Sequence, residues 1–111
     1  MSHQYVHRVT LFKIPKVEDQ EALLERYKVA QKEAVKDGKP YIMSVEAGQT
    51  KEDARNQGFT VCAKSTFSSM EDFEYYDKTC EAHKKIRAFA ASVNQGSMMV
   101  FFQSVVPRAE T

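Results

Sequence analysis

The sequence predicts an α+β fold of the ferredoxin-like type, in which strands and helical units follow one another in the order β-α-β-β-α-β. Four short runs rich in β-branched and aromatic residues have the composition of strands. Stretches with apolar residues at helical spacing separate the first run from the second and the third from the fourth. The helices then cover one face of a four-stranded antiparallel sheet. Because 111 residues suit one domain, we predict a single domain over 1–111 with its core at about 6–106.

The first half of the chain contains the first strand and the first helix. Residues 6–14 form a strand that ends at Pro15. Helical spacing runs over residues 18–36, with Leu23 and Tyr27 on one face, and Gly38 is predicted to stop this helix.

The second half supplies three strands and a helical unit in two parts. The strands are predicted at residues 41–47, 59–67 and 97–106, and Pro107 ends the last of them. Ser68 and Glu71 form a capping box that opens a short helix. A second helix is predicted over residues 81–93.

Apolar residues occupy both faces of the predicted strands. In the first strand Val9 and Leu11 lie on one face, and Val6 and Phe12 lie on the other. A sheet face that meets water normally carries polar residues. We therefore predict that a second copy of the sheet covers this face, in a homodimer with the form of an α/β barrel.

Composition and charge exclude several classes of protein. A formal net charge of +1 is not that of a basic nucleic-acid-binding protein. No apolar run approaches the roughly 18 residues that span a membrane, and the amino terminus lacks the apolar core of a secretion signal. Cys62 and Cys80 stand alone, which is typical of free thiols in a reducing compartment. We expect a cytoplasmic protein with no nucleic-acid or membrane partner.

A histidine and a tyrosine form the candidate chemical site. His83 lies on the apolar stripe of the last helix, and Tyr76 belongs to the helical stretch before it. His7 alternates with Val9 and Leu11 in the first strand. A neutral imidazole can take a proton from an acidic carbon while a phenol hydroxyl hydrogen-bonds the carbonyl oxygen. The alternative is that His83 is a core or interface histidine without a chemical role.

RNA binding and metal binding have weaker support. RNA-recognition domains share the same element order, but residues 57–64 keep only Gly58 and Phe59 of their third-strand signature. The three histidines have no metal-ligand spacing, and the four glycines form no phosphate-binding loop. We expect neither a metal nor another cofactor.

The segments VHRVTLFKI, LLERY, QGFT, DFEYYDKTCEAH and VFF follow one another along the chain. In these segments the chain resembles the stress-responsive dimeric A/B barrel domain (Dabb) family, over about residues 6–103, and it resembles the fungal members most. The resemblance implies a homodimer whose two sheets face each other as a barrel.

One plant member of that family is a polyketide cyclase, and the resemblance to it implies a site. It implies that His83 and Tyr76 are catalytic. The implied substrate-binding residues are His7, Val9, Leu11, Leu23, Leu24, Tyr27, Ala63, Ile86 and Val93. Glu81 stands where that enzyme has proline, and one extra residue separates Tyr76 from His83, which leaves the geometry of the pair open.

Three functions follow from these observations. The first is a cofactor-free cyclase, lyase or isomerase acting on a small, partly hydrophobic carbonyl compound. In it His83 is the base, Tyr76 donates a hydrogen bond to the carbonyl oxygen, and His7 orients the substrate. The second is a non-catalytic, dimeric stress-response protein with a structural histidine. The third is an oxygenase of the same fold that uses oxygen without a cofactor.

Overall fold

The structure, a computed structural model, describes residues 5–107. Its elements in chain order are β1 (Val6–Phe12), α1 (Val17–Glu33), β2 (Val35–Lys36), β3 (Lys39–Pro40), β4 (Ile42–Gln49), a 3-10 turn (Ala54–Asn56), β5 (Val61–Phe67), α2 (Met70–Lys78), α3 (Glu81–Val93) and β6 (Ser97–Gln103). No helix in this part of the chain is long and apolar enough to cross a membrane.

Four strands form one antiparallel sheet in the order β4-β5-β1-β6. The two central strands are β5 and β1, which come from opposite halves of the described chain. This order, with the helices on one face, confirms the predicted ferredoxin-like α+β fold.

The two faces of the sheet differ, and β1 shows which is which. Its side chains alternate strictly between buried and half-buried along the strand. The buried positions, which face the helices, are Val6, Arg8, Thr10 and Phe12. The half-buried positions, His7, Val9 and Leu11, face away from the helices, on what we call the open face.

The first helix ends earlier than predicted, and Gly38 does not cap it. Helix α1 stops at Glu33, and β2 then pairs with β3 in a small hairpin. The hairpin turn is Asp37 and Gly38, whose φ angles are 53° and 77°. An Asp-Gly pair is a strong signal for a two-residue hairpin turn with positive φ at both positions. This local signal overrides the helical spacing that extends to residue 36.

Several further boundaries differ from the prediction by one to three residues. Strand β1 ends at Phe12 and not at residue 14, β4 covers residues 42–49 and not 41–47, and β5 begins at Val61 and not at residue 59. Helix α2 is capped by Ser69, whose hydroxyl accepts a hydrogen bond from the Asp72 backbone N–H, while the Ser68 hydroxyl bonds the Asp72 side chain. The last strand ends at Gln103, three residues before the predicted end. Helix α3 spans residues 81–93, as predicted.

The core between sheet and helices consists of two clusters. One contains Phe12, Ile14, Leu23, Tyr27, Ala30, Val61, Ala63, Ile86 and Ala90. The other contains Val6, Ala34, Ile42, Phe67, Phe73, Tyr76 and Cys80. His83 is buried on α3, whose Ile86 belongs to the first cluster, and it stacks on Tyr76 of the second.

Candidate functional site

His83 is held in a fixed orientation in the first turn of α3. The residue is 4% exposed, and its Nδ1 lies 2.8 Å from the backbone carbonyl oxygen of Tyr76. A carbonyl oxygen can only accept a hydrogen bond, so Nδ1 carries the proton in this pair. In the neutral ring Nε2 then holds the free lone pair. No hydrogen bond from a residue of the described chain reaches Nε2.

The surroundings of His83 favour its neutral form. Burial, together with the positive charge of Arg8, lowers the pKa of the imidazole to about 4. At neutral pH the ring is therefore uncharged, with Nε2 free to accept a proton.

Tyr76 lies directly over this imidazole. The two ring centroids are 3.9 Å apart and the planes differ by 18°. Burial raises the pKa of Tyr76 to about 12, so its hydroxyl keeps its proton. The hydroxyl is thus available as a hydrogen-bond donor.

The short link between α2 and α3 produces this contact. Helix α2 ends at Lys78, and the backbone N–H groups of Thr79 and Cys80 both bond to the Tyr75 carbonyl oxygen. This tight turn starts α3 at Glu81, which brings the first turn of α3 against the last turn of α2.

Arg8 is a third member of the site and was not among the residues predicted for it. It is 9% exposed on the helix side of β1, and its guanidinium carbon lies 5.3 Å from the centroid of the Tyr76 ring. Its terminal nitrogens donate to Thr10 Oγ1 and Asp77 Oδ1, each at 3.0 Å. Its Nε is buried and has no hydrogen-bond partner among the residues that the structure describes. The alternation of Val6, Thr10 and Phe12 around it was the signal that could have placed it on this face.

Most of the predicted apolar lining is brought together on the helix side. Leu23, Tyr27, Ala63 and Ile86 belong to one core cluster, and Leu24 and Val93 pack against its margin. Tyr27 is also close enough to Tyr76 and Arg8 for their charges to act on its pKa, which burial raises. The structure therefore places these six residues in or against the first core cluster, whereas Tyr76 belongs to the second.

The expectation that His7 lies with His83 and Tyr76 is wrong for a single chain, and so is the placement of Val9 and Leu11 beside them. These three residues project from the open face of β1. His7 Nδ1 lies 3.1 Å from Thr66 Oγ1, and its ring stacks on Phe102 with centroids 5.0 Å apart. Side chains alternate between the two faces along a strand, so His7, Val9 and Leu11 all lie on the same face. If that face is assigned wrongly for one of them, it is wrong for all three.

One open depression lies away from this site. It has a volume of about 360 Å³ and is lined by Glu46, Ala47, Gly48, Gln49, Cys62 and Lys64. None of the predicted site residues lines it. Within residues 5–107 no group of three or more histidine, cysteine or acidic side chains is arranged to hold a metal ion.

A family model described as the stress responsive A/B barrel domain (Dabb) matches residues 6–103. The chain belongs to the Dabb family. One relative from Gibberella zeae is described as a fusaristatin A biosynthesis cluster protein. It is 40% identical over 99 residues, which cover 88% of this chain and 72% of that protein.

Solved structures with the same fold include enzymes. The hydroxynitrile lyase from Passiflora edulis has a TM-score of 0.76 at 16% identity, covering 93% of this chain and 95% of the lyase. The cofactor-independent oxygenase SnoaB from Streptomyces nogalater has a TM-score of 0.71 at 9% identity, covering 96% and 99%. A dimeric ferredoxin-like protein of unknown function from Thermobifida fusca has a TM-score of 0.74 at 13% identity, covering 94% of both chains. At such identities the likeness shows that this Dabb chain shares their fold.

Proposed function

We propose that the protein is a cofactor-independent enzyme of the lyase or cyclase type that acts on a small, partly hydrophobic carbonyl compound. The observation that carries the proposal is the buried imidazole of His83, which is neutral and fixed with its proton on Nδ1. Nε2 is then unprotonated at neutral pH and can accept a proton, next to the protonated hydroxyl of Tyr76. A relative encoded in a biosynthesis cluster supports a role in making a secondary metabolite.

The reaction begins with proton transfer from carbon to His83. Nε2 takes the proton from a carbon next to the substrate carbonyl, and the electron pair of the C–H bond moves onto the carbonyl oxygen as an enolate. The Tyr76 hydroxyl stabilises this developing negative charge by a hydrogen bond. In a cyclase of the polyketide type, the enolate carbon attacks a second carbonyl of the same molecule. The imidazolium of His83 then returns its proton to the resulting alkoxide.

We infer that six apolar residues of the first core cluster and its margin bind the hydrophobic part of the substrate. They are Leu23, Leu24, Tyr27, Ala63, Ile86 and Val93. All belong to α1, β5 or α3, so a ligand between these elements contacts the helix side of the sheet and not its open face. Aliphatic and aromatic walls of this kind suit a chain or ring of carbon atoms.

The proposal includes a homodimer formed through the open face. Met98, Val100 and Phe102 of β6 lie beside Leu11, Val9 and His7 of β1 and are between 46% and 52% exposed. Such a contiguous apolar surface favours a protein partner, and fold relatives are described as dimeric. The proposed location is the cytoplasm, since Cys62 and Cys80 are both free thiols.

The experiment that tests the enzymatic proposal measures proton transfer from carbon. The probe is 2-heptanone in D₂O, and NMR records the rate at which deuterium replaces the hydrogens beside its carbonyl. We expect the protein to accelerate this exchange and His83→Gln to abolish the acceleration. Tyr76→Phe should reduce it about 10-fold to 100-fold, since it removes one donor to the enolate oxygen.

The matched control is Lys85→Gln, which changes an exposed side chain on the same helix. It should exchange the probe at the wild-type rate. If His83→Gln also keeps the wild-type rate, the proposal fails and His83 is a structural histidine.

A further inference from the structure

One nitrogen of the Arg8 guanidinium, Nε, has no hydrogen-bond partner among residues 5–107. Two of its nitrogens are paired with Thr10 and Asp77, whereas Nε is buried and bonded to nothing in the described chain. Buried donors of a charged group are almost always bonded, because leaving one unmet costs free energy. The side chain is nine-tenths buried on the helix side of the sheet, where Tyr76 and His83 lie. An acceptor from a ligand would satisfy Nε at this position.

The charges around the site leave a surplus of one positive charge. Arg8, Arg87 and Asp77 are the charged groups that act on His83, and His83 itself is neutral at pH 7. Asp77 Oδ1 lies 3.0 Å from a nitrogen of Arg8 and 3.9 Å from one of Arg87, so a single carboxylate faces two guanidinium groups. Arg8 is the buried guanidinium of the two, because the Arg87 side chain is 54% exposed. Water therefore screens the attraction of an anion to Arg8 less than its attraction to Arg87.

The position of Arg8 relates this anion site to the proposed chemistry. Its guanidinium carbon is 5.3 Å from the centroid of the Tyr76 ring. The His83 ring stacks on the same Tyr76 ring, with the two centroids 3.9 Å apart. An anionic group bound at Arg8 therefore lies next to the pair that would act on the carbonyl.

We propose that Arg8 binds a carboxylate of the substrate, so that the substrate class is a free oxo acid and not a neutral ketone, ester or amide. This inference rests on the proposed function, and it adds the charge of the substrate and the residue that recognises it. Arginine suits this role because its planar fork matches the two oxygens of a carboxylate. The base remains His83, and Arg8 makes no proton transfer.

The test compares two probes of equal size, 3-oxooctanoate and 3-oxooctanamide, by isothermal titration calorimetry. We expect the wild-type protein to bind the carboxylate about 10-fold or more tightly than the amide. The variant is Arg8→Met combined with Asp77→Asn, which removes both charges of the pair and so avoids an unpaired buried carboxylate. In it the preference should fall to within about 2-fold while the affinity for the amide stays at its wild-type value.

A second variant guards against misfolding of the first. Arg8→Lys keeps the positive charge but lacks the planar fork, and it should lower the preference for the carboxylate by an intermediate factor. The urea midpoint of each variant shows that it is folded at the temperature of the titration. The proposal is overturned if wild-type protein binds both probes equally, or if the doubly substituted protein keeps the full preference.

The failure of this inference can be told apart from failure of the proposed function. If Arg8 recognises no carboxylate, the exchange of 2-heptanone still depends on His83. If the protein is not an enzyme, the exchange is independent of His83 while the preference for 3-oxooctanoate persists. If wild-type protein prefers neither probe but Arg8→Lys slows the exchange, Arg8 acts on the enolate oxygen and not on a carboxylate, and the inference is wrong.

Discussion

The imidazole of His83 is fixed twice by the same residue, Tyr76. Its Nδ1 donates to the backbone carbonyl oxygen of Tyr76 at 2.8 Å, and its ring stacks on the Tyr76 phenol at a centroid distance of 3.9 Å. The hydrogen bond selects the tautomer, and the stacking selects the plane of the ring. The last turn of α2 therefore controls both properties that a base on α3 requires.

The first prediction concerns the pH dependence of stability. The pKa of His83 is about 4 in the folded protein, against about 6.5 in an unfolded chain. Between these values only the unfolded state binds the proton, so the free energy of unfolding falls as the pH is lowered from about 6.5 to about 4. The total loss from this group is roughly 3 kcal/mol. Urea unfolding at pH 7, 5.5 and 4 measures it.

The control for this prediction is His83→Gln. Glutamine can donate to the Tyr76 carbonyl but does not titrate, so the variant keeps the acid sensitivity of the other groups and lacks that of His83. The difference between the two proteins should therefore grow in favour of the variant below pH 6.5. A constant difference at all three pH values would contradict the pKa assigned to His83.

Sequence patterns predicted the fold because each local signal agreed with the global topology. The alternating strands, the apolar stripe of α3 and the spacing of the elements all indicate the order that the structure shows. The exception is the region of Asp37 and Gly38, where helical spacing continues past the end of α1. In this region the chain forms a two-residue turn with positive φ at Asp37 and Gly38 in place of a further helical turn.

The candidate site was predictable only in part, for a reason of strand geometry. Tyr76 and His83 are close in sequence and share adjoining helix ends, so helical spacing places them together. Which side chains of β1 lie near Tyr76 and His83 depends on whether its odd-numbered or its even-numbered residues face the helices. His7 and Arg8 are neighbours, and both faces of β1 carry apolar residues, so the hydrophobic pattern does not specify which of the two faces the helices.

The second prediction concerns the ion pair of Arg8 and Asp77. Asp77→Ala should destabilise the protein by about 2 kcal/mol, because it leaves a buried guanidinium without its counter-ion. Arg8→Met in the same chain should recover part of the loss. A double-mutant cycle by urea unfolding should then give a coupling energy of about 1–3 kcal/mol.

The exposed pair of Lys28 and Glu25 on α1 serves as the comparison for that cycle. Its side chains are 69% and 64% exposed, so solvent screens their attraction. The coupling energy there should be below about 0.5 kcal/mol. Equal coupling energies for the two pairs would show that burial does not strengthen the Arg8 interaction.

The third prediction tests the hairpin after α1. Gly38 has a φ of +77°, a conformation that costs alanine free energy. Gly38→Ala should lower the free energy of unfolding by about 1 kcal/mol. Gly48→Ala is the control, because its φ lies outside the left-handed region and an added Cβ meets no atom within 4 Å. If both substitutions lower the free energy of unfolding equally, the positive φ of the turn does not explain the glycine at position 38.

The fourth prediction tests the proposed homodimer. Val100 pairs with Val9 across β1 and β6 and is 52% exposed in the single chain. Covering these side chains with a second sheet removes apolar surface from water, whereas a buried carboxylate opposes that contact. Light scattering after size-exclusion chromatography should therefore give twice the 12.7 kDa chain mass for the wild type and 12.7 kDa for Val100→Glu.

Lys85→Glu is the control for the charge introduced by this substitution, since it adds negative charge to the exposed side of α3. It should leave the mass at the dimer value. A wild-type protein that elutes with the mass of one chain contradicts the proposal, because β6 would then expose Met98, Val100 and Phe102 to water together. A Val100→Glu protein that stays dimeric places the contact elsewhere, since two buried carboxylates at a two-fold interface lie close enough to repel each other.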